Sequence, residues 1–471
     1  MVFSSLTFIC IFLPVVFLLY YIVPSIHLKN ALLIIASLLF YAYGEPVYVV
    51  LMVISTVLNY IFGLLLKGDG EKTVGRKFIL FLAVIVNLGL LGVFKYADMA
   101  VSTVNQLAHM GLKLPGLDLP IGISFYTFQA MSYVIDVYRG QTKAQKNYFK
   151  VLLYISFFPQ LIAGPIVKYH DIEEQISGRK PTTEQVGFGM RRFILGLSKK
   201  VLISNVVAVA ADAIFSLELS QVNGVTAWIG AISYLMQIYY DFSGYSDMAI
   251  GLGAMFGFTF QENFDHPYAS TTIQEFWRRW HISLSTWFKE YVYIPLGGNR
   301  KGKVRTYLNK IIVFFLTGLW HGANWTFVCW GLYHGLFLLI EGIIPLKKLP
   351  KFLGRIYALL VVCVGFVMFR ADSISYGIGM ITRMFTGWNL SAVSIAPGLE
   401  QCTPLFIAVV LIGFAGAFPW LPALRRKADK WWGKDSKAVV AFTYGVSMVL
   451  LMLSVLSLSA GTYNPFIYFR F

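Results

Sequence analysis

Long apolar runs separated by short basic loops constrain this chain more than any other feature. About a dozen runs follow one another, near residues 6–23, 31–43, 47–66, 78–97, 121–138, 149–167, 187–215, 225–260, 308–344, 355–370, 403–421 and 438–459. A helix of about 20 apolar residues crosses the hydrocarbon core of a bilayer. The pattern therefore predicts an all-α, polytopic integral membrane protein with about 10 to 12 transmembrane helices, forming one membrane domain over residues 1–471.

The charged residues support a membrane protein and exclude a nucleic-acid-binding one. Only 13% of the residues are charged, about half the usual fraction of a soluble protein. The net charge of +16 comes from lysines and arginines in short loops, where they set the orientation of the helices. The basic loops that this rule places in the cytoplasm are 67–77, 139–150, 297–310, 347–355 and 425–437. The four cysteines lack metal-ligand spacing, and no metal site is expected.

His321 lies inside one of the apolar runs. An ionisable side chain in the membrane costs free energy unless it has a partner, a water-filled cavity or a chemical function. Eleven residues of helix beyond Lys310 place His321 about 16 Å into the membrane, near its middle. Asn324 follows three residues later, and on a continuous helix it would share the face of His321 and orient the imidazole. The alternative is a histidine that only bonds a neighbouring helix.

A second polar group is embedded in the aromatic segment 274–299. Its mixture of tryptophans and charged residues predicts a helix that lies at the cytoplasmic interface. Arg278, Arg279 and His281 are expected to meet an anionic, phosphate-bearing donor there, because guanidinium groups match phosphate well. Trp280 is assigned to the same donor-binding group. The alternative for the two arginines is attachment to acidic lipid headgroups.

Two carboxylates stand in a third apolar stretch. Asp241 and Asp247 each need a partner, because a buried charge without one is costly. The expected partners are the neighbouring hydroxyl groups of Tyr239, Tyr240, Ser243 and Tyr245.

Five motifs give the chain a resemblance to the bacterial membrane-bound O-acyltransferases, nearest to the branch that acetylates alginate, peptidoglycan and cellulose. They are Pro-Gln-Leu-Ile-Ala-Gly-Pro (159–165), Asp-Phe-Ser-Gly-Tyr-Ser-Asp (241–247), Phe-Trp-Arg-Arg-Trp-His-Ile-Ser-Leu-Ser (276–285), Tyr-Ile-Pro-Leu-Gly-Gly-Asn (293–299) and Gly-Leu-Trp-His-Gly-Ala-Asn-Trp (318–325). The resemblance implies transmembrane, interfacial and re-entrant helices around a central funnel. It implies that His321 is the catalytic histidine and His281 the second family histidine, on the donor side. His334 is expected to have a structural role.

The resemblance also implies a reaction and its partners. The chain would be a multi-pass protein of the bacterial inner membrane that passes an acyl group, typically acetyl, from a cytoplasmic thioester for O-acylation of an extracytoplasmic polysaccharide. The donor would be acetyl-CoA or another acyl thioester, with no permanently bound cofactor. The expected partners are an extracytoplasmic acetyltransferase or esterase-like protein, the polysaccharide and the bilayer. His321 would act as a general base, and Asn324 or a backbone group would stabilise the oxyanion.

The C-terminal segment, residues 461–471, is predicted to be extracytoplasmic and strongly aromatic. Its apolar side chains are expected to lie in a groove, with the funnel as the candidate. Residues 466–471 resemble the C-terminal motif of the small partner protein in teichoic-acid D-alanylation. This similarity implies that Tyr468 accepts the acyl group transiently as a covalent relay. The alternative is an aromatic belt at the membrane interface.

Two other functions stay open at this point. One is an acyltransferase that acts on a lipid or a protein, and the other is a transporter or flippase without covalent chemistry. The sequence leaves open which polysaccharide would be acylated and whether the acyl group is longer than acetyl.

Overall fold

All the regular secondary structure is helical over the residues that the computed structural model describes, which are 1–68, 73–346, 349–433, 436–461 and 463–467. Within these residues six helices are long and apolar enough to cross a membrane, and a bent helix pair makes up to seven. The six are Tyr48–Leu65, Val74–Ala108, Thr183–Phe215, Trp325–Ile343, Lys351–Arg370 and Lys437–Ala460. The all-α polytopic fold predicted from the sequence is confirmed.

The number of such helices is smaller than the 10 to 12 expected from the apolar runs. Several runs fold as helices that are too short to cross a bilayer alone, because a full crossing needs about 20 residues. The run near 31–43 forms the 17-residue helix Ile26–Ala42, and the run near 149–167 begins with the nine-residue helix Tyr148–Ser156.

Contacts between Cα atoms divide the chain into two compact units. The first unit contains residues 1–193 and 248–261, and the second contains residues 194–247 and 262–471. Helices of the first unit are α1 (Leu13–Ile22), α2 (Ile26–Ala42), α3 (Tyr48–Leu65), α4 (Val74–Ala108), α5 (Ile123–Arg139), α6 (Tyr148–Ser156), α7 (Phe158–Leu161), α8 (Tyr169–Ser177) and most of α9 (Thr183–Ser198). The expectation of one membrane domain over the whole chain stays a prediction.

Buried amides join two helices of the first unit. Asn59 on α3 and Asn87 on α4 exchange two side-chain hydrogen bonds of 2.9 and 2.8 Å. Both side chains are fully or almost fully buried, so each amide satisfies polar groups of the other that water does not reach.

The second unit contains every histidine to which the sequence assigns a chemical function. Its helices are α10 (Asn205–Phe215), most of α11 (Gly224–Met255), α12 (Ile273–Arg279), α13 (Ile282–Phe288), α14 (Lys303–His321), α15 (Trp325–Ile343), α16 (Lys351–Arg370), α17 (Ile374–Thr386), α18 (Ala392–Leu399), α19 (Pro404–Ala417), α20 (Trp420–Trp432) and α21 (Lys437–Ala460). A π-helical segment, Lys199–Ser204, joins α9 to α10.

Helices α14 and α15 form an antiparallel hairpin. The hydroxyl of Tyr307 donates to the carbonyl of Gly342 near the open end of the hairpin. Towards the tip, a Cβ atom on Gly331 would lie against the carbonyl oxygen of Phe314, so only glycine permits this approach of the two backbones. The open end adjoins the basic clusters 297–310 and 347–355 of the sequence, which the orientation rule places on one side of the membrane.

Candidate functional site

His321 is the last residue of α14, at the tip of the α14–α15 hairpin. Gly322 is extended, with φ −169° and ψ 159°, and α15 begins at Trp325. The sequence had predicted a helix that continues through His321. The backbone instead reverses directly after it, because Gly322 leaves the helical conformation and Asn324 caps the next helix.

Aromatic side chains surround the His321 imidazole. The ring centroids of Trp320, Trp330 and Phe369 lie 5.1, 5.1 and 5.2 Å from that of His321. Only 6% of His321 is exposed. The imidazole is therefore surrounded mainly by aromatic rings and is almost closed to solvent.

His321 borders a cavity of about 10 Å³, the space of a single water-sized probe. Its lining residues are Ile238, Phe242, Trp280, His321, Trp330, Phe366, Phe369 and Ile467. Thus the described residues enclose the imidazole closely, and Ile467 of the C-terminal segment is part of the wall. Any substrate that reaches His321 must therefore displace some of these side chains.

His281 lies in the turn between α12 and α13, in the left-handed conformation with φ 44° and ψ 55°. A non-glycine residue adopts this conformation rarely. Backbone hydrogen bonds on both sides hold the turn, from Asp265 N to Arg279 O at 2.9 Å and from Ile282 N to Asn263 O at 3.0 Å. They turn the His281 side chain into the protein, where it is fully buried.

Asn263 determines which nitrogen of His281 carries a proton. The Asn263 Oδ1 atom accepts hydrogen bonds from the backbone N and the Oγ of Ser283, at 3.0 and 2.9 Å. A backbone N–H can only donate, so this atom is an acceptor. His281 Nδ1, 3.3 Å away, must then donate to it, and Nε2 is the basic nitrogen of the neutral ring.

The two histidines are close in space. Their ring centroids are 6.5 Å apart, at an interplanar angle of 61°. Burial, and secondarily the adjacent His321, lower the pKa of His281 well below its usual range. His281 is therefore neutral near pH 7.

The prediction that Asn324 shares the helical face of His321 is wrong, because α14 ends at His321. Asn324 is the N-cap of α15, and its Oδ1 accepts from the backbone N of Thr326 at 3.0 Å. Its Nδ2 donates to the carbonyl of Asp372 at 3.0 Å. Both polar groups of the Asn324 side chain therefore bond to backbone atoms, one of them at the start of α15. The expectation that Asn324 orients the His321 imidazole assumed a shared helical face, which the structure does not have.

The structure separates the members of the predicted donor-binding group. Arg278 is exposed, and Arg279 lies 2.9 Å from Glu275 on the same helix. Trp280, in contrast, is buried and borders the His321 cavity. The expected single interfacial helix is broken at Trp280 and His281, so these two side chains point inward while the arginines stay at the surface.

Two lysines pair with the buried aspartates, a feature that the sequence reasoning missed. Lys199 Nζ lies 2.6 Å from Asp247 Oδ2, and Lys200 Nζ lies 2.5 Å from Asp241 Oδ1. Gly244 allows this approach, because a Cβ atom there would lie 2.7 Å from the carbonyl oxygen of Gly196. The available signal was Lys199-Lys200 inside the apolar run 187–215, which supplies two positive charges for two buried negative ones.

His334 is buried among aromatic rings. Trp277 and Trp330 have their ring centroids 5.2 Å from that of His334, and Phe276 stacks on it at 6.4 Å. Among the described residues neither ring nitrogen has a hydrogen-bond partner. The structural role expected for His334 stays a prediction.

Two apolar side chains among the described residues of the C-terminal segment are buried. Phe466 and Ile467 are 7% and 4% exposed. The expectation that apolar side chains of the segment lie in a groove agrees with this burial. Tyr468 lies outside the described residues.

A larger cavity, of about 320 Å³, lies beside the C-terminal segment. Asn205, Gln401, Thr403 and Tyr463 contribute polar groups to its lining. In the part of the chain that the structure describes, no group of three or more His, Cys, Asp or Glu side chains is placed to hold a metal ion.

The chain belongs to the membrane-bound O-acyltransferase family, whose sequence model matches residues 51–375. This stretch contains both close histidines and the hairpin that carries His321. The resemblance found in the sequence motifs is confirmed, and the chain is an O-acyltransferase of a bacterial membrane that crosses the bilayer several times.

Three relatives illustrate the family. A probable alginate O-acetylase of Pseudomonas putida is 42% identical, and the match covers 100% of both chains. A peptidoglycan O-acetyltransferase of Helicobacter pylori is 36% identical over 84% of this chain and 81% of its own. A teichoic acid D-alanyltransferase of Bacillus subtilis is 27% identical over 53% of this chain and 68% of its own.

Proposed function

We propose that this chain transfers an acyl group from a cytoplasmic acyl thioester, with acetyl-CoA as the first candidate, to an extracytoplasmic polysaccharide, with His321 as the general base. The observation that carries the proposal is the position of His321. It lies at the tip of a hairpin whose open end adjoins two basic clusters, in a closely packed aromatic cavity beside His281. The named acceptors of the three relatives, all polymers, support a polymeric acceptor.

The proposed chemistry needs one base. The His321 imidazole removes the proton of the attacking hydroxyl group while its oxygen bonds to the acyl carbon. The carbon–sulfur bond then breaks, and the departing thiolate takes the proton from His321. A positioned general base contributes about 10² to 10⁴ in rate. The aromatic wall of the cavity excludes water and so protects the thioester from hydrolysis.

His281 is the second histidine of the proposal, on the donor side. Its neutral ring, fixed by Asn263, lies with its centroid 6.5 Å from that of His321 and adds no positive charge there. A second imidazolium at this distance would oppose the protonation of His321 that general-base catalysis requires.

The proposed first acceptor is the phenol of Tyr468. Tyr468 directly follows Ile467, which borders the His321 cavity. Attack by the phenol on the thioester would give an acyl-tyrosine ester and release the thiol. An extracytoplasmic, esterase-like partner would then move the acyl group to a sugar hydroxyl and regenerate the phenol.

Membranes that contain the full chain provide the test. They are incubated with acetyl-labelled acetyl-CoA and purified alginate, peptidoglycan or cellulose, with and without the extracytoplasmic partner. The proposal predicts label on Tyr468 in the C-terminal peptide, and on one of the polysaccharides when the partner is present. Label that appears only on a lipid or on another protein would instead identify a different acceptor class and overturn the proposal.

A further inference from the structure

Each of residues 463–467 in the C-terminal segment contacts another part of the second unit. At its start, Tyr463 donates to Asp212 Oδ2 at 2.6 Å. Asn464 Oδ1 accepts from Asn205 Nδ2 at 3.1 Å, and the ring of Phe466 lies 4.9 Å from that of Tyr245. The remaining two residues, Pro465 and Ile467, are held through their backbone.

The Lys200–Asp241 ion pair makes both backbone contacts. The Nζ atom of Lys200 donates to the carbonyl of Pro465. Asp241 Oδ2 accepts from the backbone N of Ile467 at 2.8 Å. One donor and one acceptor of the pair thus meet two backbone groups of the segment that belong to residues two positions apart.

The Lys200–Asp241 pair is buried, so its hydrogen bonds to the segment affect the stability of the pair. Lys200 is 2% exposed and Asp241 is 1% exposed. Buried charges are tolerated when they are paired and when further hydrogen bonds occupy their remaining donors and acceptors. The segment supplies one such hydrogen bond to each ion. Its removal would therefore take one acceptor from Lys200 and one donor from Asp241.

We infer that the Lys200–Asp241 pair is a binding site for a peptide backbone, occupied here by residues 463–467, and that it fixes the register in which the peptide meets the His321 cavity. The pair binds the backbone of the peptide. The side-chain contacts of Asn464 and Phe466 determine which residues of the segment lie at the pair. Lys200 and Asp241 are thus positioning residues, which act on the acyl transfer through the segment. This last consequence rests on the proposed function of Tyr468, whereas peptide binding itself does not.

A cysteine at position 467 reports on the binding, because Ile467→Cys keeps the backbone N–H. Membranes are treated with a water-soluble maleimide, and labelling of the C-terminal peptide is measured by mass spectrometry. We expect slow labelling in this reporter chain and a rate at least about tenfold higher after Asp241→Asn. Asn87→Ala is the control, since it breaks a buried amide pair in the first unit and should leave the rate near that of the reporter chain.

A second variant avoids changes to the buried ions. Asn464→Ala combined with Phe466→Ala should also raise the labelling rate, because it removes both register contacts and leaves α9, α10 and α11 intact. Equal labelling in the Asp241→Asn and reporter chains, or equal acceleration by Asn87→Ala, would overturn the inference.

Acyl transfer measured on the same membranes distinguishes a failure of the peptide site from a failure of the relay through Tyr468. Faster labelling with undiminished transfer to the polysaccharide would support the peptide site and contradict the relay through Tyr468. Unchanged labelling in Asp241→Asn, with label from acetyl-CoA still found on Tyr468, would contradict the peptide site and support the relay.

Discussion

The ring centroids of His281 and His321 lie 6.5 Å apart, and each histidine lies where the backbone reverses direction. His281 occupies the turn between α12 and α13, and His321 ends α14 before the backbone turns into α15. Two short turns, supported by Asn263 and by the cap at Asn324, therefore determine the geometry of the site.

This proximity predicts that substitutions of the two histidines are not additive. His281→Ala and His321→Ala should each lower the rate of acyl transfer, and the double variant should be no slower than His321→Ala alone. Residues that act as one unit lose their joint contribution when either is removed. Rates from labelled acetyl-CoA with the three variants, at equal amounts of folded protein, measure the coupling. Rate losses that multiply in the double variant would indicate independent roles.

Asn263→Ala should lower kcat by roughly tenfold and leave KM nearly unchanged, since a lost buried hydrogen bond costs about 1 to 3 kcal/mol. The variant removes the acceptor that fixes His281 Nδ1 as the protonated nitrogen. Asn87→Ala is the control, because it breaks a buried amide pair in the first unit. A loss of kcat as large in the control as in Asn263→Ala would assign the effect to general destabilisation.

Gly331→Ala should destabilise the hairpin that carries His321. Its new methyl group would press on the carbonyl of Phe314, where the two backbones are in contact. Overpacking of this kind costs about 1 to 3 kcal/mol. Thermal unfolding in detergent should therefore begin at a lower temperature. Gly445→Ala on α21, with nothing within 4 Å of the new atom, should unfold at the original temperature or slightly above it.

Tyr468→Phe should abolish acylation of the polysaccharide, because phenylalanine lacks the hydroxyl that would carry the acyl group. The other aromatic contacts of the segment are unaffected, so the chain should remain folded and the reporter at position 467 protected. Tyr444→Phe on α21 serves as the control and should keep full activity. Polysaccharide acetylation by Tyr468→Phe at the original rate would remove the relay from the mechanism.

The sequence predicted the fold class because it depends on local patterns of apolar residues, although the runs gave more membrane-crossing helices than the described residues contain. The catalytic role of His321 stays a prediction, drawn from a motif that is continuous in sequence. The same reasoning was wrong about Asn324, since it assumed an unbroken helix through Gly322. A glycine followed after one residue by Asn, a frequent N-cap, was the available sign of a new helix start.

The sequence reasoning missed the features that depend on packing between distant segments, because no single stretch of sequence contains both partners. Asp241 and Asp247 were assigned to nearby hydroxyl groups, whereas their partners are Lys200 and Lys199. The contact of Asn263 with His281 depends on the left-handed turn at His281, which no local pattern announces. The contact of the Lys200–Asp241 pair with Ile467 joins three separate segments.

The rate of acyl transfer by His321→Ala tests the account most directly. The full chain and the variant are compared in membranes with labelled acetyl-CoA, the polysaccharide and the partner protein, with His27→Ala, at an exposed histidine, as the control. The account predicts a loss of about 10² to 10⁴ in rate for His321→Ala, unchanged elution as a folded protein and full activity for His27→Ala. Acyl transfer by folded His321→Ala at the rate of the original chain would contradict it.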